Sequence, residues 1–148
     1  MSQPIHKEHD VSILMYHIVC PAKYRRVVMV KEVDRVLHEV CTEIALRYEI
    51  IFLEIGVDRD HVHFLVQSVP IYSPTKIVRM IKSITAREIF QRVPTIKKQL
   101  WGGEFWTDGY YIGTVGPHGG EAQIRQYVAK QGRTKEYTKL HVQQLRLL

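Results

Sequence analysis

The feature that most constrains the fold is a pair of strand-like segments joined by a turn of three residues. Glu49–Val57 and His61–Gln67 are rich in β-branched and aromatic residues, and Asp58-Arg59-Asp60 between them is short and polar. Two strands with so short a connection pair as an antiparallel hairpin, because a parallel pair needs a long crossover. The sequence therefore predicts an antiparallel sheet that contains this hairpin.

The rest of the chain predicts further strands and helices around that hairpin. Ser12–Cys20 and Tyr110–Val115 are typical of strands, and the apolar spacing in Lys31–Arg47 predicts an amphipathic helix. A second helix is predicted from a cap at Ser73 or Thr75 to about Gln91. A third is predicted over Glu121–Gln131, with Gly132 as its C-terminal cap. The tail Thr134–Leu148 predicts a further short helix. This order indicates an α+β fold with an antiparallel sheet of four to five strands and helices on one face. A ferredoxin-like or RRM-like arrangement fits, apart from the helix after the glycine-rich segment.

Length and composition indicate one globular domain. The chain has 148 residues, 45% of them hydrophobic, so we expect a single domain over 1–148, with a core of about 12–132 and a helical tail over 133–148. No segment approaches the roughly 18 apolar residues of a membrane helix. The polar start MSQPIHKEHD lacks the apolar stretch of a signal peptide. We expect a cytoplasmic protein that does not bind membranes, with two reduced structural thiols at Cys20 and Cys41.

A net charge of +6 makes nucleic acid a candidate partner. Charge alone is weak evidence, because many basic proteins bind no nucleic acid. Seven basic side chains are candidates for phosphate contacts, although a solvated surface is the ordinary alternative for any one of them. They are Lys23, Arg25, Arg26, Lys76, Arg79, Lys82 and Arg87.

His61 and His63 are two residues apart in the second strand of the hairpin, so both project from one face of the sheet. Two neutral imidazoles at this spacing can chelate one divalent ion. The alternative is a pair of structural histidines, hydrogen-bonded to neighbours or water. His17 lies in the first strand and is interpreted as a satisfied core histidine.

Tyr127 and Gln131 are four residues apart in the predicted third helix and share one of its faces. The chemical interpretation is a phenol that attacks phosphorus beside a cation bound by the amide oxygen of Gln131. The structural alternative is a helix that packs Ile124, Tyr127 and Val128 on the sheet. Gly116, Gly119 and Gly120 precede this helix and provide either a hinge or an ordinary loop.

Taken together, these motifs resemble the single-tyrosine HUH transposases of the insertion sequence 200/605 family (TnpA type). The resemblance runs from about Ser12 to Gly132. Ser83 is a departure, since such proteins often carry glycine there, and it concerns hairpin contacts rather than the chemistry. The matching segments, in the family's order, are Tyr16–Val19, Lys23–Arg25, Asp60–His63, Leu100–Gly102 with Phe105-Trp106, Gly109–Ile112 with Thr114–Gly116, and Tyr127 with Gln131.

The resemblance implies a DNA transposase that binds single-stranded DNA with hairpin ends. By resemblance, Tyr127 forms a 5′-phosphotyrosine and leaves a free 3′-OH, so strand rejoining needs no ATP. His61, His63 and Gln131 would hold one divalent ion, Mg²⁺ or Mn²⁺. Family members are homodimers in which the tyrosine helix, mobile on its hinge, often completes the partner's active site.

Three other functions remain open from the sequence. One is a domesticated relative that nicks chromosomal hairpin repeats without mobilising itself. Another is a non-catalytic module that binds single-stranded nucleic acid. An acidic two-metal nuclease is less favoured, because no third carboxylate is obviously placed with Asp58 and Asp60.

Overall fold

The computed structural model describes residues 2–100, 103–116 and 120–129. These residues form two antiparallel sheets and four α-helices, with a short 3-10 turn at Lys23–Arg25. The strands are β1 (Ile5–His6), β2 (Val11–Ser12), β3 (Leu14–Pro21), β4 (Ile51–Val57), β5 (His61–Ser68) and β6 (Tyr111–Val115). The helices are α1 (Lys31–Arg47), α2 (Pro74–Arg92), α3 (Pro94–Gln99) and α4 (Gly120–Ala129).

The main sheet has the order β4-β5-β3-β6, and all of its neighbouring strands are antiparallel. The helices α1 and α2 connect these strands, so the order along the chain is β3-α1-β4-β5-α2-β6. This order is the ferredoxin-like arrangement that the sequence predicts. The predicted hairpin is confirmed as β4 and β5, with Asp58–Asp60 as its turn. Because β5 is an interior strand with both faces covered, all eight of its residues are buried.

The main hydrophobic core lies between one face of this sheet and α1, α2 and α3. Alternate residues of β3 and β5, including Ile18, Cys20 and Phe64, face this core. The α2 helix begins where Ser73 caps it, since the Ser73 hydroxyl accepts a hydrogen bond from the Lys76 backbone N–H at 3.1 Å. The opposite residues of β3 and β5 must therefore face the other side of the sheet.

The α4 helix covers that other side, so the expectation of helices on a single face holds for α1 to α3 only. Ile124 packs against Met15, Leu65 and Val115, which form a second and smaller apolar cluster. This cluster gives α4 an apolar surface to cover on the face that carries the histidines.

Two short elements were not predicted, namely the β1–β2 sheet and α3. Strands of two residues and a helix of six are too short to produce a recognisable hydrophobic period. The predicted cap Gly132 and tail helix Thr134–Leu148 lie outside the described residues. No helix in the described part of the chain has the length and apolarity needed to cross a membrane.

Candidate active site

His61 and His63 lie side by side at the beginning of β5, on the face of the sheet that α4 covers. Their ring centroids are 5.2 Å apart, and the residues are only 1% and 0% exposed. Across the sheet, Pro21 pairs with His61 and Val19 with His63. The shared face follows from the strand alternation that the sequence predicts.

The turn between β4 and β5 orients His61 through two aspartates. The Nδ1 atom of His61 lies 2.8 Å from an oxygen of Asp60, and its Nε2 atom lies 3.6 Å from an oxygen of Asp58. A carboxylate accepts from an imidazole N–H, so Asp60 favours the tautomer of His61 that carries its proton on Nδ1. The two acidic residues of the turn thus contact a histidine, and they are not arranged as an acidic two-metal site.

His63 is held by a second histidine, His17 of β3. The Nε2 atom of His17 lies 2.8 Å from the Nδ1 atom of His63, and the two rings stack with centroids 5.0 Å apart. Burial lowers the pKa of His17 to about 4, because the charged imidazolium is poorly solvated there. The His17 ring is therefore neutral near pH 7.

The sequence interpretation of His17 as a satisfied core histidine was incomplete. The ring is buried and hydrogen-bonded, as that interpretation requires, but its partner is His63 and it belongs to the site. One signal in the sequence could have indicated this. His17 alternates with Ile18 and Cys20, so it must face the side of the sheet opposite to the main core.

Tyr127 of α4 completes this cluster of rings. Its ring centroid lies 5.5 Å from that of His63 and 5.9 Å from that of His17, both in edge-to-face orientation. Tyr111 of β6 also contacts His17 in edge-to-face orientation, with ring centroids 5.7 Å apart. Within this single chain the tyrosine therefore lies beside its own histidines, one of the two placements that the sequence left open. Gln131 lies outside the described residues, as do His118 and Gly119.

Polar contacts at the start and in the middle of α4 hold the helix against the N-terminal segment and the sheet. Near its start, Glu121 accepts hydrogen bonds from the Ser2 backbone N–H at 2.8 and 3.0 Å. Burial alone would raise the pKa of Glu121, but the hydrogen bonds from Ser2 and the nearby positive charge of Arg125 act together to hold that pKa below its usual range. In the middle of the helix, Arg125 donates to Glu54 of β4 at 3.0 Å. These contacts help to dock α4, the helix that carries Tyr127.

The donor set of this site fits a divalent ion. His61 and His63 each have a hydrogen-bond partner at Nδ1, which is how metal-ligating histidines are commonly oriented, with Nε2 as the ligand atom. Among the described residues, no three His, Cys, Asp or Glu side chains form a metal-binding group. The two imidazoles can therefore supply two ligands, and any further ligand from the described residues would be of another kind.

A basic groove of about 620 Å³ lies between α2 and the segment that leads into β6. Three basic residues outnumber two acidic ones in its lining, which also includes the aromatic residues Trp106 and Tyr110. The charged residues are Arg79, Lys82, Arg87, Glu104 and Asp108. Lys82 also donates to the carbonyl of Thr107 at 2.7 Å, so this lysine supports the groove wall. The groove thus combines cationic side chains with the partly exposed ring of Tyr110, the two kinds of group that bind nucleic-acid strands.

The groove and the histidine site lie at the same end of the sheet. Trp106 forms an antiparallel bridge with Ala22, and the Ala22 backbone N–H donates to the carbonyl of Asp60 at 2.7 Å. Asp60 in turn contacts His61. Ala22 and Asp60 thus connect a wall of the groove to His61.

The other basic candidates have varied surroundings. Lys76 is exposed on α2, and Arg26 is exposed directly after the 3-10 turn. Arg25 is the last residue of that turn. Lys23 forms an ion pair with Glu104 at 2.6 Å. Phe105 and Trp106 are buried core residues rather than exposed stacking platforms, and Trp101 lies outside the described residues. The role of each basic residue in DNA binding stays a prediction.

Comparison with known proteins identifies the family. The family model of IS200-like transposases matches residues 10–131. The ISDra2 transposase TnpA of Deinococcus radiodurans is 35% identical over 118 residues, which cover 80% of this chain and 84% of that protein. The transposase for insertion sequence element IS200 of Salmonella typhimurium is 28% identical over 116 residues, covering 78% of this chain and 75% of that protein.

Solved structures agree with this assignment. A crystal structure of a candidate transposase from Deinococcus radiodurans superposes with a TM-score of 0.70 and 32% identity, covering 84% of this chain and 95% of that one. A REP-associated tyrosine transposase bound to a REP hairpin has a TM-score of 0.58 with 8% identity, covering 86% of this chain and 70% of that one, which shows a shared fold. The chain belongs to the IS200-like transposase family.

Proposed function

We propose that this member of the IS200-like transposase family cleaves and rejoins single-stranded DNA beside a hairpin, with Tyr127 as the nucleophile. One observation carries the proposal. The ring of Tyr127 lies 5.5 Å from that of His63, in a cluster of buried imidazoles that can bind a divalent ion. The structural alternative, a tyrosine that only packs α4 on the sheet, gives no reason for two buried imidazoles, those of His17 and His63, to contact its ring.

The proposed reaction is a transesterification at phosphorus. The phenolic oxygen of Tyr127 forms a bond to phosphorus and loses its proton to solvent, while the bond from phosphorus to the 3′ oxygen breaks. The 3′ oxygen gains a proton and leaves as a free hydroxyl, and the protein retains a 5′-phosphotyrosine. Because the phosphodiester is conserved in the adduct, attack by a 3′-OH reverses the step and rejoins strands without ATP.

A free phenol has a pKa of about 10, so Tyr127 needs help near neutral pH. His61 and His63 would hold Mg²⁺ or Mn²⁺, with Gln131 as a further ligand. When bound, the ion would polarise the scissile phosphate and stabilise the charge that develops on it. Asp60 and His17, as hydrogen-bond partners of the two histidines, would keep both rings in a ligating orientation.

The basic groove would bind the DNA strand that leads into this site. Arg79, Lys82 and Arg87 line the groove, and its rim is connected to Asp60 through Trp106 and Ala22. A structural neighbour of this chain is a transposase bound to a hairpin, which supports hairpin DNA as the substrate.

The decisive test uses an end-labelled single-stranded hairpin incubated with the protein and Mn²⁺. We expect an adduct that survives denaturation, and we expect Tyr127→Phe to abolish it. Tyr111→Phe is the matched control, because Tyr111 is a second tyrosine of the same ring cluster and contacts His17. An adduct yield from Tyr127→Phe equal to that of the wild-type protein would refute the nucleophile assignment.

The metal ligands are tested by separating binding from cleavage. His61→Ala should lose cleavage but keep most of its affinity for the hairpin, since His61 is not among the residues that line the groove. A variant that binds DNA poorly yet cleaves normally at saturating protein concentration would instead indicate that His61 contacts DNA. Binding with no cleavage by the wild-type protein in any divalent ion would favour a non-catalytic binding module.

We also propose that the protein acts as a homodimer whose tyrosine helix can dock on the partner. Mixing His61→Ala with Tyr127→Phe subunits tests this directly. If each site combines histidines of one subunit with the tyrosine of the other, a mixed dimer has one intact site and regains adduct formation. If both groups come from the same chain, the mixture stays inactive.

A further inference from the structure

We propose that His17 is a positioning residue that fixes the tautomer of His63, so that His63 presents Nε2 to the divalent ion. The inference rests on the proposed function, because it assumes that His63 is a metal ligand. It adds a residue that lies outside the HxH motif and on a different strand. Its role would be to supply a hydrogen-bond acceptor rather than a ligand.

The geometry that carries this inference is a buried contact between two rings. Nε2 of His17 is 2.8 Å from Nδ1 of His63, and the rings stack with an interplanar angle of 23°. The residues are 3% and 0% exposed. Bulk solvent is therefore largely excluded from this hydrogen bond.

Coordination chemistry determines the direction of that hydrogen bond. A neutral imidazole carries one proton, so a His63 that coordinates through Nε2 must carry its proton on Nδ1. Nδ1 of His63 then donates to Nε2 of His17, and His17 must carry its own proton on Nδ1. The reverse direction would leave the proton of His63 on Nε2, where it would block coordination.

His61 provides an internal comparison for the same arrangement. Its Nδ1 atom lies 2.8 Å from the carboxylate of Asp60, an acceptor that cannot donate when ionised. Each histidine of the motif thus has one acceptor at Nδ1, a carboxylate for His61 and an imidazole for His63. The same tautomer is selected for both rings by two chemically different partners.

The side chain of His17 is itself held in place by its neighbours. Tyr111 and Tyr127 contact its ring in edge-to-face geometry at 5.7 and 5.9 Å. In the register of β3 with β6, Gly113 lies opposite His17. A Cβ atom at Gly113 would approach the Tyr111 hydroxyl to 2.6 Å, so the glycine leaves room for the phenol that borders His17.

The test measures the tautomer of His63 without any metal. Long-range ¹⁵N correlation spectra of ¹⁵N-histidine-labelled protein at pH 8 with chelator distinguish a proton on Nδ1 from one on Nε2, and loss of signals in His63→Gln assigns the ring. In the wild-type protein we expect His63 and His17 both protonated on Nδ1. In His17→Phe, which keeps a ring but removes the acceptor, the His63 pattern should shift toward the Nε2-protonated form.

Metal affinity provides the second measurement. Loss of such an outer partner typically weakens metal binding by about 10- to 100-fold, so His17→Phe should raise the Kd for Mn²⁺ by that factor. His17→Gln places an amide oxygen near the position of Nε2 and should restore most of the affinity. Ile18→Val is the control for a change in the same strand, since Ile18 faces the main core instead.

Two results would overturn the inference. One is a wild-type His63 protonated on Nε2, and the other is an unchanged tautomer and Mn²⁺ affinity in His17→Phe. Failure of the proposed function would look different. In that case the wild-type protein would bind no Mn²⁺, or Tyr127→Phe would still form the adduct. The metal-free spectra would still show whether His17 sets the tautomer of His63.

Discussion

Acidification should destabilise the metal-free protein through His17, and the burial of that ring determines the size of the effect. The pKa of His17 is lowered to about 4 by burial, whereas an unfolded histidine has a pKa of about 6.5. Between these values the unfolded chain binds a proton that the folded protein excludes. Stability contributed by the neutral ring is therefore fully present above pH 6.5 and is lost as the pH falls.

The magnitude follows from the separation of the two pKa values. The two pKa values differ by roughly 2.5, which corresponds to about 3.4 kcal/mol in the free energy of unfolding. At pH 5 about 2 kcal/mol of this contribution is already lost. The groups that face His17 are His63 of β5, Tyr111 of β6 and Tyr127 of α4. No carboxylate is among these ring contacts, so none of them would favour the imidazolium.

Urea unfolding at a series of pH values from 7.5 to 4.5, in the presence of chelator, measures this effect. His17→Gln removes the titrating ring, so the free energy of unfolding of the wild-type protein should fall more steeply with acidification than that of the variant. We expect the difference between the two curves to change by about 2 kcal/mol between pH 7 and pH 5. Parallel curves over that range would refute the assignment of a buried, neutral His17.

Three further substitutions test the packing that supports the site. Arg125→Ala removes the ion pair with Glu54, whose two side chains are 43% and 30% exposed. Docking of α4 on the sheet should weaken by roughly 0.5–1 kcal/mol. The amide hydrogens of α4 should then exchange about two- to fivefold faster, while those of β5 keep their exchange rates. The buried indole N–H of Trp106 donates to the Thr85 hydroxyl at 2.9 Å. Thr85→Val removes this acceptor and should lower the free energy of unfolding in urea by about 1–3 kcal/mol, whereas Thr85→Ser keeps a hydroxyl and should lower it less. Phe64→Ala at a fully buried core position should cost about 3–5 kcal/mol, and a loss below 1 kcal/mol would contradict the description of the core.

The parts of this molecule that the sequence predicts are those determined by local pattern. The short turn Asp58–Asp60 leaves no alternative to a hairpin, and strand alternation then places His61 and His63 on one face. The helical period of Lys31–Arg47 is likewise local and corresponds to α1. The family assignment rests on the order of such motifs along the chain, which the matched residues 10–131 confirm.

The parts that the sequence does not predict depend on contacts between distant segments. His17 joins the site only because β3 pairs with β5 in a register that sets Val19 opposite His63, and no local pattern specifies that register. The same applies to Ser2, which meets Glu121 across 119 positions of the chain. The catalytic and metal-binding roles of Tyr127, His61 and His63 stay predictions until the adduct and the metal are measured.

The division of the sheet into two faces explains how the tyrosine helix can be both well placed and separable. The face toward α1, α2 and α3 carries the main core, which contains no residue of the described part of α4. Against the other face, α4 adds Ile124 to a small apolar cluster and is anchored through Glu121 and Arg125. Moving α4 to a partner subunit would therefore leave the main core intact, and identical contacts on the partner would compensate for those lost. Because the contacts of α4 would be the same on either subunit of the proposed homodimer, subunit mixing, rather than stability, is the measurement that distinguishes the two arrangements.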